Sequence, residues 1–369
     1  MPGRWALTAF QIALFALAAY EVFRRREVTW SPVAWLLGAA AAWGILQIVT
    51  HQTIYEWRTW DAVLFWITNG VAFWVALRRG SAGFLQATLI FAFVLSIVGT
   101  LTVLTSPADK VLWIFDAAMD PHPTLGPFVY RNQFAAFVEA VLPLAIVRAI
   151  LDRKRSLVYI AIAATLFASV VAGGSRAGSI LCLAEILIVP VIAYTRGLIP
   201  GRTLARVLGA SAAAVAILTA VVGWEVIWNR LQEPNPYSVR AELLRSSVEM
   251  VRHRPLMGFG LGTWSDAYPA YAHFDDGHFV NQAHNDWIQW AVEGGIPFFL
   301  MMLAIAIWSI GPALKSLWGI GMLAVFVHSM IDYPMQQRPA LAAFFFAILG
   351  CMAATKQERA LRTPDQHAG

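Results

Sequence analysis

Apolar residues fill this chain in runs of roughly twenty, separated by short polar segments, and nowhere alternate in the way that marks a half-buried strand. The runs fall near 5–23, 30–50, 59–77, 83–104, 130–150, 156–173, 178–195, 204–223, 285–310, 316–331 and 339–354. Each predicts a membrane-spanning helix, because about 20 residues rising 1.5 Å apiece cross a hydrocarbon core of about 30 Å. The first run, Trp5 to Phe23, lacks the basic start and small-residue cleavage site of a signal peptide, so it reads as a retained helix. The expectation is an all-α polytopic membrane protein with about 11 transmembrane helices, forming one integral membrane domain over 1–369.

Two polar segments are long enough to hold structure, 105–129 and 224–283. Trp113 to Met119 in the first reads as a short helix lying at the membrane interface. The second predicts an amphipathic helix that starts around Pro236 and Ser238 and ends at Pro255. On a 3.6-residue wheel Leu243, Leu244, Ser247, Val248 and Val251 share a face with Arg240, while Glu242, Arg245, Glu249 and Arg252 fall opposite. Arg240 thus points away from the solvated face, where a guanidinium calls for an anion: a bound ligand on the functional reading, a structural ion pair on the other.

Composition agrees with the span pattern: 59% of residues are hydrophobic and 13% charged, with mean hydropathy +0.60, outside the range of a soluble domain. The net charge of +5 would suggest a nucleic-acid partner in a soluble protein. Here it sorts by side. Sixteen of the 27 basic residues lie on one set of loops, among them Arg24–Arg26, Arg78, Arg79, Arg153–Arg155, Lys315 and the tail. By the positive-inside rule that side is cytoplasmic, which places the amino terminus and the 105–129 and 224–283 segments outside and the carboxyl terminus inside. No nucleic acid is expected. Cys182 and Cys351 sit inside apolar runs and read as small hydrophobes.

The candidate chemistry gathers at the external ends of the spans. Arg131, followed by Asn132, opens the fifth span, and Arg176 stands in GGSRAG between the sixth and seventh. An ionisable residue at such a boundary is a site candidate, although snorkelling to headgroups also explains Arg131. For Arg176 the neighbouring glycines let backbone amides approach a phosphate at a helix start. His284 opens the ninth span, where an imidazole can accept a proton near neutral pH; Asn285 or Asp286 suits the helix cap better. Glu293 lies about 13 Å further along, on the opposite side of the wheel, and reads as holding a neighbouring helix or cation. His328 and Asp332 stand i,i+4 near the end of the tenth span and read as a mutual hydrogen bond, while Glu139 and Glu185 are further intramembrane acids. His273, Asp275, Asp276 and His278 make only a weak metal set, and no metal or cofactor is expected.

The strings Arg131-Asn132-Gln133-Phe134-Ala135, Gly174-Ser175-Arg176-Ala177-Gly178, Pro255-Leu256-Met257-Gly258-Phe259-Gly260, Ala283-His284-Asn285-Asp286 and Glu293-Gly294-Gly295 together resemble the O-antigen ligase/polymerase superfamily of bacterial envelope glycosyltransferases. The resemblance covers about residues 120 to 300 by motif. It implies transfer of a glycan from an undecaprenyl diphosphate carrier to lipid A core or another glycan, without a nucleotide sugar, metal or cofactor. The family's functional arginines carry over to Arg176 and Arg240 and its histidine to His284, as the catalytic set. Arg131, Asn132, Arg245, Asn285 and Glu293 are then substrate-binding candidates. The chain departs from the ligases in having about eleven spans rather than twelve, and it lacks the long carboxyl-terminal extension of the protein-glycosylating branch. A polymerase of the same superfamily is the near alternative. A bicarbonate or solute transporter, with Glu139, Glu185, Glu293 and His328 along its path, is the distant one.

Overall fold

The computed structural model describes residues 4–24, 31–80, 82–107, 109–116, 124–222, 238–273, 277, 279–336 and 338–362. Every segment expected to span contains helix. Eight of the described helices are long and apolar enough to cross a membrane: α1 (Arg4–Arg24), α2 (Pro32–Val49), α3 (Glu56–Arg79), α4 (Ala82–Thr105), α5 (Arg131–Leu151), α6 (Ser156–Gly173), α7 (Arg176–Thr195) and α11 (Asp286–Ser316). Of the others, α8 (Gly201–Val222) is amphipathic, α12 (Ile320–His328) has nine residues, and α13 (Pro339–Arg362) carries a shorter apolar stretch, Pro339–Thr355. At 1.5 Å per residue α12 is about 13 Å long, less than half a hydrocarbon core. The protein is an all-α polytopic membrane protein.

The chain divides into two compact units, one built from 82–234 and 313–328, the other from 2–81, 235–312 and 329–369. In the first, α5 is the hub. Nearly nine-tenths of its apolar window is buried, against 33–39% for α4, α6 and α7, as expected of a helix that is hydrophobic all round. Its neighbours approach closely because small residues face it. A Cβ on Gly178 of α7 would collide with the Ala135 side chain, and one on Gly321 of α12 with the backbone at Glu139 and Ala140. Between α4 and α5 the strands β1 (Lys110–Val111) and β2 (Phe115–Asp116) pair antiparallel, joined across the ends by a Lys110–Asp116 ion pair. The interfacial helix expected from Trp113 is therefore a tight hairpin as far as Asp116, with Leu112 and Trp113 at positive φ in its turn. Residues 117–119 lie outside the described residues.

In the second unit α13 packs along α3, where a Cβ on Gly350 would strike the Phe73 carbonyl, and Trp66 sets its ring edge-on to Phe298 and Phe346 at 5.3 and 5.9 Å. The polar segment after residue 237 forms α9 (Ser238–His253), the short α10 (Trp264–Ala267) and a single 3-10 turn at Tyr268–Ala270. The amphipathic helix thus starts and ends close to where its cap and proline predict. Its buried face is displaced: Leu243, Ser246, Ser247 and Met250 are covered, whereas Leu244 is 42% exposed. Trp264 sets the direction, stacking on Tyr268 at 4.7 Å and donating its indole N–H to Ser247 Oγ at 3.1 Å.

Candidate functional site

The second unit holds the denser constellation. Asn285 caps α11, its Oδ1 accepting from the Ile288 amide at 3.1 Å while Nδ2 donates to the Met330 carbonyl at 2.7 Å. The next residue, Asp286, is fully buried, and its amide donates to the carbonyls of Ser329 (2.9 Å) and Asp332 (3.1 Å). Its Oδ2 accepts from the Met335 amide at 3.0 Å. These bonds sew the turn 329–335 onto the start of α11, and the turn delivers Asp332.

Asp332 is 2% exposed and organises the cations around it. Oδ2 accepts from Arg240 Nη2 at 3.2 Å, Oδ1 accepts from the Tyr333 amide at 2.9 Å, and Oδ1 lies 3.9 Å from His284 Nδ1. Arg240 therefore has the ion pair that was the alternative to a ligand anion, yet its side chain is 30% exposed and only Nη2 meets the acid. His328 Nδ1 meets Glu139 Oε1 at 2.7 Å, and α12 ends at His328, so the helical i,i+4 spacing behind the expected His328–Asp332 bond does not continue to Asp332.

His284 has φ +51°, a left-handed conformation that a side chain adopts at a cost of about 1–3 kcal/mol and that clusters at functional sites. Its ring packs edge-on against Tyr333 at 4.8 Å and remains 27% exposed. Burial holds the imidazole below histidine's ordinary value; the Asp332 carboxylate pulls upward and the Arg240 guanidinium pushes further down. A neutral, partly open imidazole beside a paired carboxylate and a half-buried guanidinium can accept a proton while the arginine meets an anion.

Glu293 is engaged differently. Its carboxylate accepts from the amides of Gly262 (2.9 Å) and Trp264 (3.4 Å) and from Gln289 Nε2 (2.9 Å), and it is 3% exposed. Backbone bonds join the same two segments: Phe259 N to Val292 O at 3.0 Å, Gly260 N to Glu293 O at 2.9 Å and Ile296 N to Pro255 O at 2.8 Å. Gly295, at φ 72° and ψ −178°, breaks α11 so that Ile296 can make that last bond. Gly260, at φ 113°, sits where any Cβ would strike Thr53. The two sequence strings PLMGFG and EGG are thus one knot. Gln47 of α2 completes it, with Nε2 on the carbonyls of Met257 (2.5 Å) and Glu293 (2.8 Å) and Oε1 on the Leu261 amide (3.0 Å), while Trp43 donates to Gly294 O at 2.9 Å. A glutamine inside an apolar run was the sequence signal for this role. Arg245 stands exposed on α9.

In the first unit Arg131 and Arg176 are the first residues of α5 and α7. Gly174, at φ 67°, ends α6, and Ser175 caps α7 by accepting from the Gly178 amide at 3.2 Å. The same hydroxyl donates to Asn132 Oδ1 at 2.8 Å, and Asn132 Nδ2 donates to the Tyr130 hydroxyl at 3.2 Å. Two helix starts, each bearing an arginine and the positive end of a helix dipole, are tied side by side. Arg131 is exposed and Arg176 half-buried.

Of the weak metal set, His273 faces Glu249 at 3.2 Å, while Asp275, Asp276 and His278 lie outside the described residues.

The first unit carries arginines at two helix starts and the second a buried carboxylate beside an arginine and a histidine, all on a multi-pass helical membrane protein. Residues 161–303 match the family model described as O-Antigen ligase, and the resemblance to the O-antigen ligase superfamily is confirmed over that stretch, which contains Arg176, Arg240, His284 and Glu293. Family members are ligases and polymerases of glycosyltransferase type, whose substrates are lipid-linked glycans. The chain has no match among curated proteins.

Proposed function

We propose that this protein is an O-antigen ligase-like inverting glycosyltransferase, moving a glycan from an undecaprenyl diphosphate carrier to a hydroxyl of lipid A core or a growing polysaccharide at the periplasmic face of the inner membrane. The reading rests above all on the Arg240–Asp332–His284 constellation. Asp332 holds Arg240 by one nitrogen, leaving the rest of the guanidinium fork for phosphate oxygens. On this reading Nδ1 lies on the Asp332 side, 3.9 Å from Oδ1, and Nε2 is the nitrogen assigned to the acceptor. It takes the hydroxyl proton as the oxygen attacks the anomeric carbon, the bond to the lipid diphosphate breaks, and Arg240 stabilises the charge that leaves with it. Arg176 is assigned a phosphate contact, Arg131 and Asn132 an auxiliary one, and Arg245 a contact to the glycan. Asn285 and Glu293 act by holding His284 and the knot in place. The eleven-segment chain path, with 105–129 and 224–283 outside, is part of the same reading.

The decisive experiment supplies the purified protein with undecaprenyl diphosphate-linked glycan and lipid A core. Transfer without nucleotide sugar, accompanied by release of undecaprenyl diphosphate, supports the ligase. Elongated carrier-linked glycan with an unmodified core identifies the polymerase instead, and neither product rejects both.

A further inference from the structure

Three buried titratable groups of the first unit have no part in that chemistry. Glu139, Glu185 and His328 are 0%, 2% and 0% exposed. Glu139 lies eight residues into α5 and Glu185 nine residues into α7, so at 1.5 Å per residue they sit about 12 and 13 Å from helix starts that Ser175 and Asn132 tie together. Ala135 and Gly178 mark where the two helices touch. Glu139 follows Ala135 by about one turn and Glu185 follows Gly178 by about two, so both acids face the α5–α7 contact at one depth near the middle of their spans. Helical side chains lean toward the amino-terminal end, which brings Glu139 to His328 along the antiparallel α12.

We propose that these residues form a proton-binding site inside the membrane, with Glu185 the carboxyl that carries the proton. Glu139 Oε1 and His328 Nδ1, 2.7 Å apart, satisfy one another in one compact hydrogen-bonded pair. Both Glu185 oxygens are buried with no hydrogen-bond partner, and Glu139 Oε2 is likewise without one. Among the described residues, the remaining elements against α7 bring no counter-charge to that level. Arg202 and Arg206 are exposed on the first turns of α8, Tyr159 is near the start of α6, and Cys182, one turn before Glu185 on α7 itself, is a buried thiol. An ionised Glu185 would leave the apolar interior with an uncompensated negative charge, which burial disfavours strongly. A proton from water forms an O–H bond on one Glu185 oxygen and leaves the cluster neutral.

The test is independent of glycan transfer. The full chain in lipid nanodiscs is treated at neutral pH with an apolar carbodiimide, which reacts with protonated carboxyls in apolar surroundings, and the modified residues are read by mass spectrometry. Label at Glu185 about ten-fold above that at exposed Glu56 is expected. So is an infrared carboxylic-acid carbonyl band that is lost in Glu185→Gln. An unlabelled Glu185 together with the absence of that band overturns the proposal, as does a band that survives Glu185→Gln with label on Glu139 alone. If Glu185→Gln does not fold, labelling and the band of the unaltered chain decide by themselves.

Discussion

Arg240 reaches across 92 residues of sequence to place Nη2 3.2 Å from Oδ2 of Asp332. Because the same carboxylate faces His284, removing its charge should act on both the guanidinium and the imidazole. Asp332→Asn is expected to lower kcat by about a hundred- to ten-thousand-fold, the range for losing a positioned acid–base group. The upward pull of Asp332 on the imidazole disappears while the downward push of Arg240 stays, so the pH midpoint of residual activity should move lower. A variant with unchanged kcat and midpoint would make Asp332 a fold element only.

His284 is held below histidine's ordinary value of about 6.5 and must be neutral to act as a base. With saturating substrates, activity should be flat at neutral pH and fall as pH drops through that lowered value. His284→Ala and His284→Arg should both be inactive yet still bind donor. An active His284→Arg enzyme would make the residue a phosphate-gripping cation.

A guanidinium fork and a point charge differ in geometry at equal charge. Arg240→Lys and Arg176→Lys, at normal protein levels, are each expected to lose most activity, with transfer assayed on the purified variants. Ordinary rates in both would reduce them to surface charges.

The knot around Glu293 makes a stability prediction. Gln47→Leu leaves the Met257 carbonyl and the Leu261 amide without their partner, while the Glu293 carbonyl keeps the Gly260 amide, a penalty of about 1–3 kcal/mol for each group left buried and unsatisfied. Gly260→Ala meets Thr53, whereas Gly277→Ala, also at positive φ, meets nothing within 4 Å. Thermal unfolding in detergent should rank Gly260→Ala well below Gly277→Ala. Equal midpoints would show that crowding at Gly260 is relieved without penalty.

Chain orientation is read with reporters. A fusion after Arg362 should be active in the cytoplasm and an insertion at Gly277 in the periplasm; both on one side would overturn the loop-charge map.

Helix positions were legible because lipid solvent demands long apolar runs, and the candidate site residues because charges stand out against them. Partners were not. Arg240 called for an anion of unknown identity, since nothing local reveals that Asp332 arrives from a turn far along the chain. His328 and Asp332 read as a pair because spacing alone cannot show that a helix stops between them. The covered face of α9 depended on where Trp264 lies, which periodicity does not encode, and so Leu244 came out exposed. Trp113 read as helical from its apolar neighbours, whereas a Lys110–Asp116 bridge closes a hairpin there.

The fastening of the 329–335 turn onto the start of α11 also imposes an order on biogenesis. Arg240 leaves the ribosome first, His284 next, and the acid that organises them only 48 residues after His284. A nascent chain halted before Asp332 has the cation and the imidazole but not the group that aligns them. Catalytic competence on this reading begins when the carboxyl-terminal segment docks, and unfinished chains in the membrane stay silent.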